Sequence, residues 1–239
     1  MNPLPLFLII VTLPLLHGGC GEKPVEEAPI NSIKYKITGD EVAITSCDKK
    51  ASGTLTIPAT IEGKTVTSIG DNAFYLCSSL TSITIPDGVT SIGDMAFRGC
   101  DTLKSITIPD GVTSIGVGAF WICRSLTSLK IPDGVTSIGR HAFADCSSLT
   151  GITIPDGVIS IEEGAFDECE SLTSITIPDR VINIGSIAFV GCTGLTSITI
   201  PDSVTSIGKS AFNGCTNLTS ITIPDSVTSI GDYTFSGCT

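Results

Sequence analysis

Seven aspartates recur at one position of this 239-residue sequence, each directly after a proline and 23 residues from the next. They are Asp87, Asp110, Asp133, Asp156, Asp179, Asp202 and Asp225. Carboxylate oxygens suit a hard cation such as calcium, so a stacked column of them is a possible cation site. An aspartate that follows proline is also typical of a tight turn, and each repeat supplies only one carboxylate. We therefore favour the turn interpretation and assign no metal site.

Eight cysteines keep the same spacing: Cys77, Cys100, Cys123, Cys146, Cys169, Cys192, Cys215 and Cys238. Stacked repeats about 5 Å apart would bring neighbouring cysteines within disulfide range. A regular column, however, places each sulfur equally near two neighbours, and no CxxC pair is present. We interpret these cysteines as buried thiols that act as small hydrophobes. Cys47 lies outside the column, and its state stays open.

Threonine and serine form two further columns, which we expect on the exposed face of a sheet. The threonine column is Thr84, Thr107, Thr153, Thr176, Thr199 and Thr222, with Lys130 at the same position of one repeat. The serine column is Ser82, Ser105, Ser128, Ser174, Ser197 and Ser220, with Gly151 in the gap. Such columns suit partner binding, cross-strand stabilisation of the sheet, or an array similar to those of ice-binding solenoids. Tyr75, Trp121 and Tyr233 occupy variable positions and are candidate anchors for a partner.

Catalysis finds no support in the residue types. The two histidines are His17 and His141, and no serine has a partnered base nearby in the pattern. We expect no enzyme activity and no cofactor. A formal net charge of −11 disfavours nucleic acid and bare anionic membranes as partners.

The elements that position these columns follow from the repeat itself. Ile-Pro begins a unit at Ile57, Ile85, Ile108, Ile131, Ile154, Ile177, Ile200 and Ile223, at intervals of 28 and then always 23 residues. The longer first interval predicts an extended turn over residues 62–65. Alternating Ile83 and Ile85 predict a strand. Four-residue steps between Ile92, Ala96 and Cys100 predict a short helical or 3₁₀ turn on the opposite face.

This periodicity predicts an α/β solenoid with a parallel β-sheet on one face. Eight rungs would make that sheet roughly 40 Å long. Residues 33–56 alternate on both sides of Gly39-Asp40 and predict an N-terminal β-hairpin cap. The repeats then occupy residues 57–239, as seven full units and one partial unit. We find no cap at the C-terminal end.

The first residues carry an export signal. An apolar stretch from Leu4 to Leu16, followed by small residues, predicts a signal peptide over residues 1–19. Gly18-Gly19-Cys20 resembles the end of a bacterial lipoprotein signal, so we expect lipid on Cys20 and a tether over residues 20–32. The expected location is the cell surface or outer membrane, with secretion as the alternative.

The recurring L-x-x-I-x-I-P-x-x-V-x-x-I-G-x-x-A-F-x-x-C resembles the BspA-like leucine-rich repeats, named for a bacterial surface antigen. The resemblance covers residues 57–239 and extends toward residue 33. It implies a secreted or surface-attached protein that adheres to an extracellular protein or glycan, and it carries no catalytic motif. A self-associating structural protein of the envelope or matrix is the alternative, and ice binding is a third hypothesis.

Overall fold

The computed structural model describes residues 27–238, in which about eight turns of chain stack into a solenoid with two parallel sheets. The predicted signal peptide, Cys20 and the first part of the tether lie outside the described residues. None of the described residues forms a helix long and apolar enough to cross a bilayer.

Sheet A carries the predicted Ser/Thr face. Its strands are Ser52–Thr56, Ser79–Thr84, Ser105–Thr107, Ser128–Lys130, Gly151–Thr153, Ser174–Thr176 and Ser197–Thr199. Equivalent residues of successive repeats pair in register, as Thr84 does with Thr107 and Thr153 with Thr176. Backbone pairing in sheet A is interrupted between Ser105–Thr107 and Ser128–Lys130. The isoleucines between them are buried, so each strand turns one face to the core and one outward.

Sheet B is a second parallel sheet that the sequence analysis did not predict. Its repeat strands are Lys64–Ile69, Ser91–Ile92, Ser114–Ile115, Ser137–Ile138, Ser160–Ile161, Asn183–Ile184, Ser206–Ile207 and Ser229–Ile230. Most of these strands contain two residues, and an alternating sequence pattern cannot be recognised in so short a strand. Backbone pairing is interrupted once, between Ser137–Ile138 and Ser160–Ile161.

The predicted hairpin cap is confirmed. Ile33–Thr38 pairs antiparallel with Glu41–Cys47, and a 3₁₀ helix at Ile30–Ser32 precedes them. Glu41–Cys47 then pairs with Lys64–Ile69, so the cap extends sheet B by two strands. Strand Ser52–Thr56 falls within the predicted cap range of residues 33–56, but it pairs with Ser79–Thr84 as the first strand of sheet A.

The five extra residues of the first repeat form the predicted extended turn. Strand Thr60–Ile61 pairs antiparallel with the start of Lys64–Ile69, and Glu62 and Gly63 make the tight connection. Both have positive φ, 52° and 75°, as the favoured two-residue hairpin turns require.

The predicted helical turns are wrong: the described residues contain no α-helix, and consecutive tight turns return the chain to sheet A. Within one return segment the amide of Ala73 donates to the Gly70 carbonyl, three residues back. The amide of Phe74 instead donates to the Ala96 carbonyl of the next repeat, at 2.7 Å. Because every second amide bonds across repeats, a continuous helix cannot form. Turn pairs four residues apart produce the same apolar spacing as one helical face.

The core is a set of columns, each made of one repeat position. Phenylalanines from Phe74 to Phe235 stack with centroid distances of 5.1–5.7 Å and interplanar angles of 3–10°. Cysteine, alanine, leucine, isoleucine and valine columns surround this stack and are buried. No single repeat encloses a core, so stability comes from contacts between neighbours.

Candidate functional site

Sheet A presents a polar face to solvent. The predicted column of Thr84, Thr107, Lys130, Thr153, Thr176, Thr199 and Thr222 is exposed at every position. The partner serines stand beside it in register, and Thr199 bridges to Thr222. The face is therefore a regular array of hydroxyls in which Lys130 is the charged member of the column.

A notch interrupts this face where the repeat pattern changes. Gly151 replaces serine, and a Cβ placed there would meet no heavy atom within 4 Å. The groove around it has a volume of about 500 Å³ and is lined by Ser128–Lys130, Gly151–Thr153 and Ser174–Thr176. The Lys130 side chain thus stands beside an open depression in an otherwise uniform surface.

A second groove opens in sheet B, at the interruption of its backbone ladder. At this position other repeats have a glycine whose amide donates to an isoleucine carbonyl one repeat back, as Gly139 does to Ile115 at 2.9 Å. A Cβ on Gly139 would lie 2.6 Å from the Gly116 carbonyl carbon, so the close stacking requires glycine. Glu162 occupies the equivalent position in the next repeat. Its Cβ cannot be accommodated at that spacing, and among the described residues Ile138 and Glu162 make no such bond.

The resulting groove has a volume of about 520 Å³. Ile138 and Ile159 contribute apolar surface, while Arg140 and Glu162 stand at its edge. Arg140 pairs with Glu163 of the next repeat. Sequence analysis could have found this groove, because Glu162 is the substitution that breaks the glycine column.

The candidate anchors Tyr75 and Trp121 lie in one ladder of side chains along the return turns. Arg98 stands over both rings, 5.6 Å from the Tyr75 centroid and 4.1 Å from that of Trp121. Lys49 covers Tyr75 at 5.5 Å. These cation–π contacts stabilise the edge of the solenoid, and they occupy ring faces that an anchor would offer to a partner. Tyr233 lies apart in the last described repeat and is 68% exposed.

His141 extends this ladder, which the sequence analysis missed. Its ring stacks on Trp121 with centroids 5.6 Å apart, although the two residues belong to different repeat positions. Burial and the nearby Arg140 charge lower the pKa of His141. This shift favours the uncharged form of the ring that stacks on Trp121.

The acidic residues of the fifth repeat divide between two places. Glu162 lines the groove in sheet B and its neighbour Glu163 pairs with Arg140, whereas Asp167 and Glu168 lie along the return turns. Burial, with added repulsion from Glu168 and Asp145, raises the pKa of the Asp167 carboxyl to about 6. This carboxyl is half-buried among like charges and costs stability when ionised.

The aspartate column lies at exposed turns. The amide of Val89 donates to the Pro86 carbonyl at 3.1 Å and closes a turn around Asp87, and the later repeats do the same. Among residues 27–238, no group of three or more His, Cys, Asp or Glu side chains is placed to hold a metal ion. Each aspartate lies inside one of these turns. Calcium binding by the column stays untested.

The sequence matches the BspA type leucine-rich repeat region, with six copies over residues 67–194 and 136–239. The chain therefore belongs to the BspA-type leucine-rich repeat family. The comparison with curated proteins gives no match.

Solved structures agree with this assignment. A leucine-rich repeat protein of T. pallidum is 32% identical with a TM-score of 0.73, over 81% of this chain and 91% of that one. A Bacteroides ovatus leucine-rich repeat protein is 26% identical with a TM-score of 0.59, over 88% and 80% of the two chains. A Eubacterium ventriosum leucine-rich repeat protein is 26% identical with a TM-score of 0.65, over 77% and 58%.

Proposed function

We propose that this protein is a non-enzymatic binding protein of the bacterial cell surface, which adheres to an extracellular protein or glycan through sheet A. The observation that carries this proposal is the continuous exposed Ser/Thr face, with its notch at Gly151 beside Lys130. Membership of a family of repeat proteins supports a binding role rather than catalysis.

The chemistry of the face favours an extended ligand. Hydroxyls repeat along sheet A at the spacing of parallel strands, about 4.8 Å. One such contact is weak, but a ligand that repeats along its own length can engage several rungs at once and gain affinity through multivalency. A polysaccharide or an extended protein segment has this property.

Lys130 and the notch give the face a fixed point. The threonine column is otherwise uniform, so a ligand could slide along it without preference. An ammonium group beside an open depression favours a ligand that carries an acidic group next to a bulky one. Recognition of that feature would set the register of the ligand on the solenoid.

The proposed location follows from the leader. Export through the segment 1–19 and lipid on Cys20 would hold the solenoid outside the membrane, with residues 20–32 as the tether. A mass increase on Cys20 in the membrane fraction, lost in Cys20→Ala, would test the anchor. Release of an unmodified protein into the medium would contradict it.

The binding proposal is tested with soluble residues 27–239, labelled and applied to an array of extracellular-matrix proteins and glycans, with calcium and with a chelator. We expect saturable binding to one ligand class that the chelator does not abolish. Loss with the chelator would instead identify the aspartate column as cation ligands. A blank array under both conditions would contradict adhesion to these targets.

Two measurements separate the other hypotheses. A mass that rises with concentration in light scattering would favour the self-associating structural protein. Thermal hysteresis in cooled solution would favour ice binding, since a regular hydroxyl array on sheet A is also what that activity would use.

A further inference from the structure

The first cysteine of the column differs from all the others. From Cys100 to Cys238, each thiol donates to the carbonyl of the phenylalanine 26 residues earlier, at 3.1–3.3 Å. The phenylalanine column begins at Phe74, so the Cys77 thiol has no phenylalanine carbonyl of an earlier repeat to bond. Its nearest acceptors are the carbonyls of Asp48 and Cys47, at 3.9 and 4.0 Å, which are weak contacts even for sulfur.

Cys77 lies beside a second cysteine. The Cys77 thiol is 4.0 Å from the carbonyl oxygen of Cys47, at the end of the cap strand Glu41–Cys47, and the Cys47 thiol donates to the Asp48 carbonyl at 3.6 Å. This contact joins the cap to the first repeat. Cys47 is half-buried and Cys77 is buried, so one member of the pair is within reach of a small oxidant.

We propose that Cys47 and Cys77 form a disulfide that fastens the N-terminal cap to the first repeat. The bond is formed in two exchange steps. The thiolate of Cys47 attacks the disulfide of an oxidant, either a low-molecular-weight disulfide or that of a thiol oxidase, and displaces one thiol. Cys77 then attacks the Cys47 sulfur and releases the second thiol, so two protein thiols are oxidised and one disulfide is reduced.

The local charges favour the second step more than the first. Contact with the Cys77 thiol, together with burial, raises the pKa of Cys47 well above its usual range, so its thiolate is scarce and the first step is slow. Contact with the Cys47 thiol and the Lys49 ammonium lower the pKa of Cys77 against the effect of burial, and the ammonium remains once Cys47 is in the mixed disulfide. In the column itself burial, opposed by a backbone hydrogen bond and reinforced by the Asp145 charge, raises the pKa of the Cys146 thiol to about 12. Thiols of this kind are buried, protonated and satisfied by a carbonyl, so we expect them to stay reduced.

The disulfide would protect the end of the solenoid. Capping repeats cover a core that would otherwise be exposed, and the cap here reaches the first repeat through one edge of sheet B. A bond between residues 47 and 77 closes a loop of 30 residues and removes conformational freedom from the unfolded chain. We expect the oxidised protein to melt about 5–10 °C above the reduced protein.

The full chain is purified reduced, incubated with oxidised glutathione, alkylated and digested with trypsin. Cleavage after Lys49 and Lys64 separates the two cysteines, so the linkage appears as peptides 37–49 and 65–98 joined with the loss of two hydrogens. Cys47→Ser should abolish this species and the rise in melting temperature. Cys238→Ser removes the other half-buried thiol of the described residues and should keep both.

Recovery of Cys47 and Cys77 as free thiols would overturn the proposal. So would a stable glutathione adduct on Cys47, or crosslinks spread equally over other neighbours of the column. The comparison of oxidised with reduced wild-type protein decides the matter even if the Cys47→Ser variant folds poorly. None of these outcomes depends on whether sheet A binds a ligand.

Discussion

Individual residues in the return turns have a backbone conformation that most side chains disfavour. Two positions of every repeat have positive φ. The first of them is occupied in three repeats by Asn72, Gly118 and Gly164, residue types that tolerate positive φ. Ile187 occupies the same position with φ of 51°. A β-branched side chain in the left-handed region is strained, by about 1–2 kcal/mol.

Ile187→Asn should therefore stabilise the protein. Asparagine tolerates positive φ, so we expect the free energy of unfolding to rise by about 1 kcal/mol, less the small burial that Ile187 loses. Chemical denaturation measures the difference. Ile182→Asn, at an exposed isoleucine without positive φ, is the matched control and should change little. Equal effects of the two changes would contradict the strain argument.

Asp167 gives the stability a pH dependence. Burial raises the pKa of Asp167 to about 6 in the folded protein, whereas an unfolded aspartate titrates near about 4. The folded state therefore holds this proton more tightly, and stability falls as the pH rises from about 4 to about 6.

Asp167→Asn should remove that loss. At pH 7 we expect the variant to be more stable than wild type by about 1 kcal/mol, a value discounted for solvent screening of a half-exposed group. At pH 4 the two proteins should be equal. Asp156→Asn, on an exposed turn, serves as control. The stability difference between the variant and wild type should be larger at pH 7 than at pH 4. An equal difference at the two pH values would be inconsistent with this assignment.

At the scale of elements, the interrupted ladder of sheet B is the clearest departure from regularity. Glu162→Gly should allow the amide at position 162 to donate to the Ile138 carbonyl, as its counterparts do. One restored backbone bond is worth about 1 kcal/mol. We expect greater stability, slower hydrogen exchange at that amide and a shallower groove.

Glu163→Gln is the control for lost charge, because it leaves the backbone at Glu162 untouched. It should give neither the slower exchange nor the gain in stability. Rapid exchange at position 162 in the Glu162→Gly variant would mean that another feature holds the two strands apart.

The elements differ in how well the sequence predicts them. Sheet A and the buried columns follow from the alternation of residues such as Ile83 and Ile85, which only a strand explains. The predicted helix in the return turns is wrong because turn pairs four residues apart give the same apolar spacing as a helix. Glycines distinguish tight turns from a helix in these segments. Gly99, Gly118 and Gly164 lie at positions with positive φ, which a helix does not contain.

The candidate site was predictable in part for a similar reason. The notch at Gly151 and the groove at Glu162 both follow from breaks in a column, which the sequence displays directly. The stacking of His141 on Trp121 does not, because it joins different positions of adjacent repeats and depends on the path of the return turn.

At the scale of the whole molecule, stability should be distributed along one dimension. Phe143 is fully buried between Phe120 and Phe166, whereas among residues 27–238 Phe235 stacks only on Phe212. Phe143→Ala should cost about 3–5 kcal/mol through the cavity it leaves. Phe235→Ala, the matched change at a half-buried ring, should cost less than half as much, and fluorescence-monitored denaturation compares them. Equal losses would contradict nearest-neighbour stabilisation.

The same regularity makes sheet A a continuous platform, and its role can be tested by blocking it. Thr153→Tyr places a bulky neutral side chain beside the notch, while Thr113→Tyr places the same group at an exposed position next to sheet B. Binding of each variant to the ligand identified on the array is the measurement we would make. We predict that Thr153→Tyr weakens binding about tenfold or more and that Thr113→Tyr leaves it unchanged. Loss of binding in Thr113→Tyr with none in Thr153→Tyr would contradict the account.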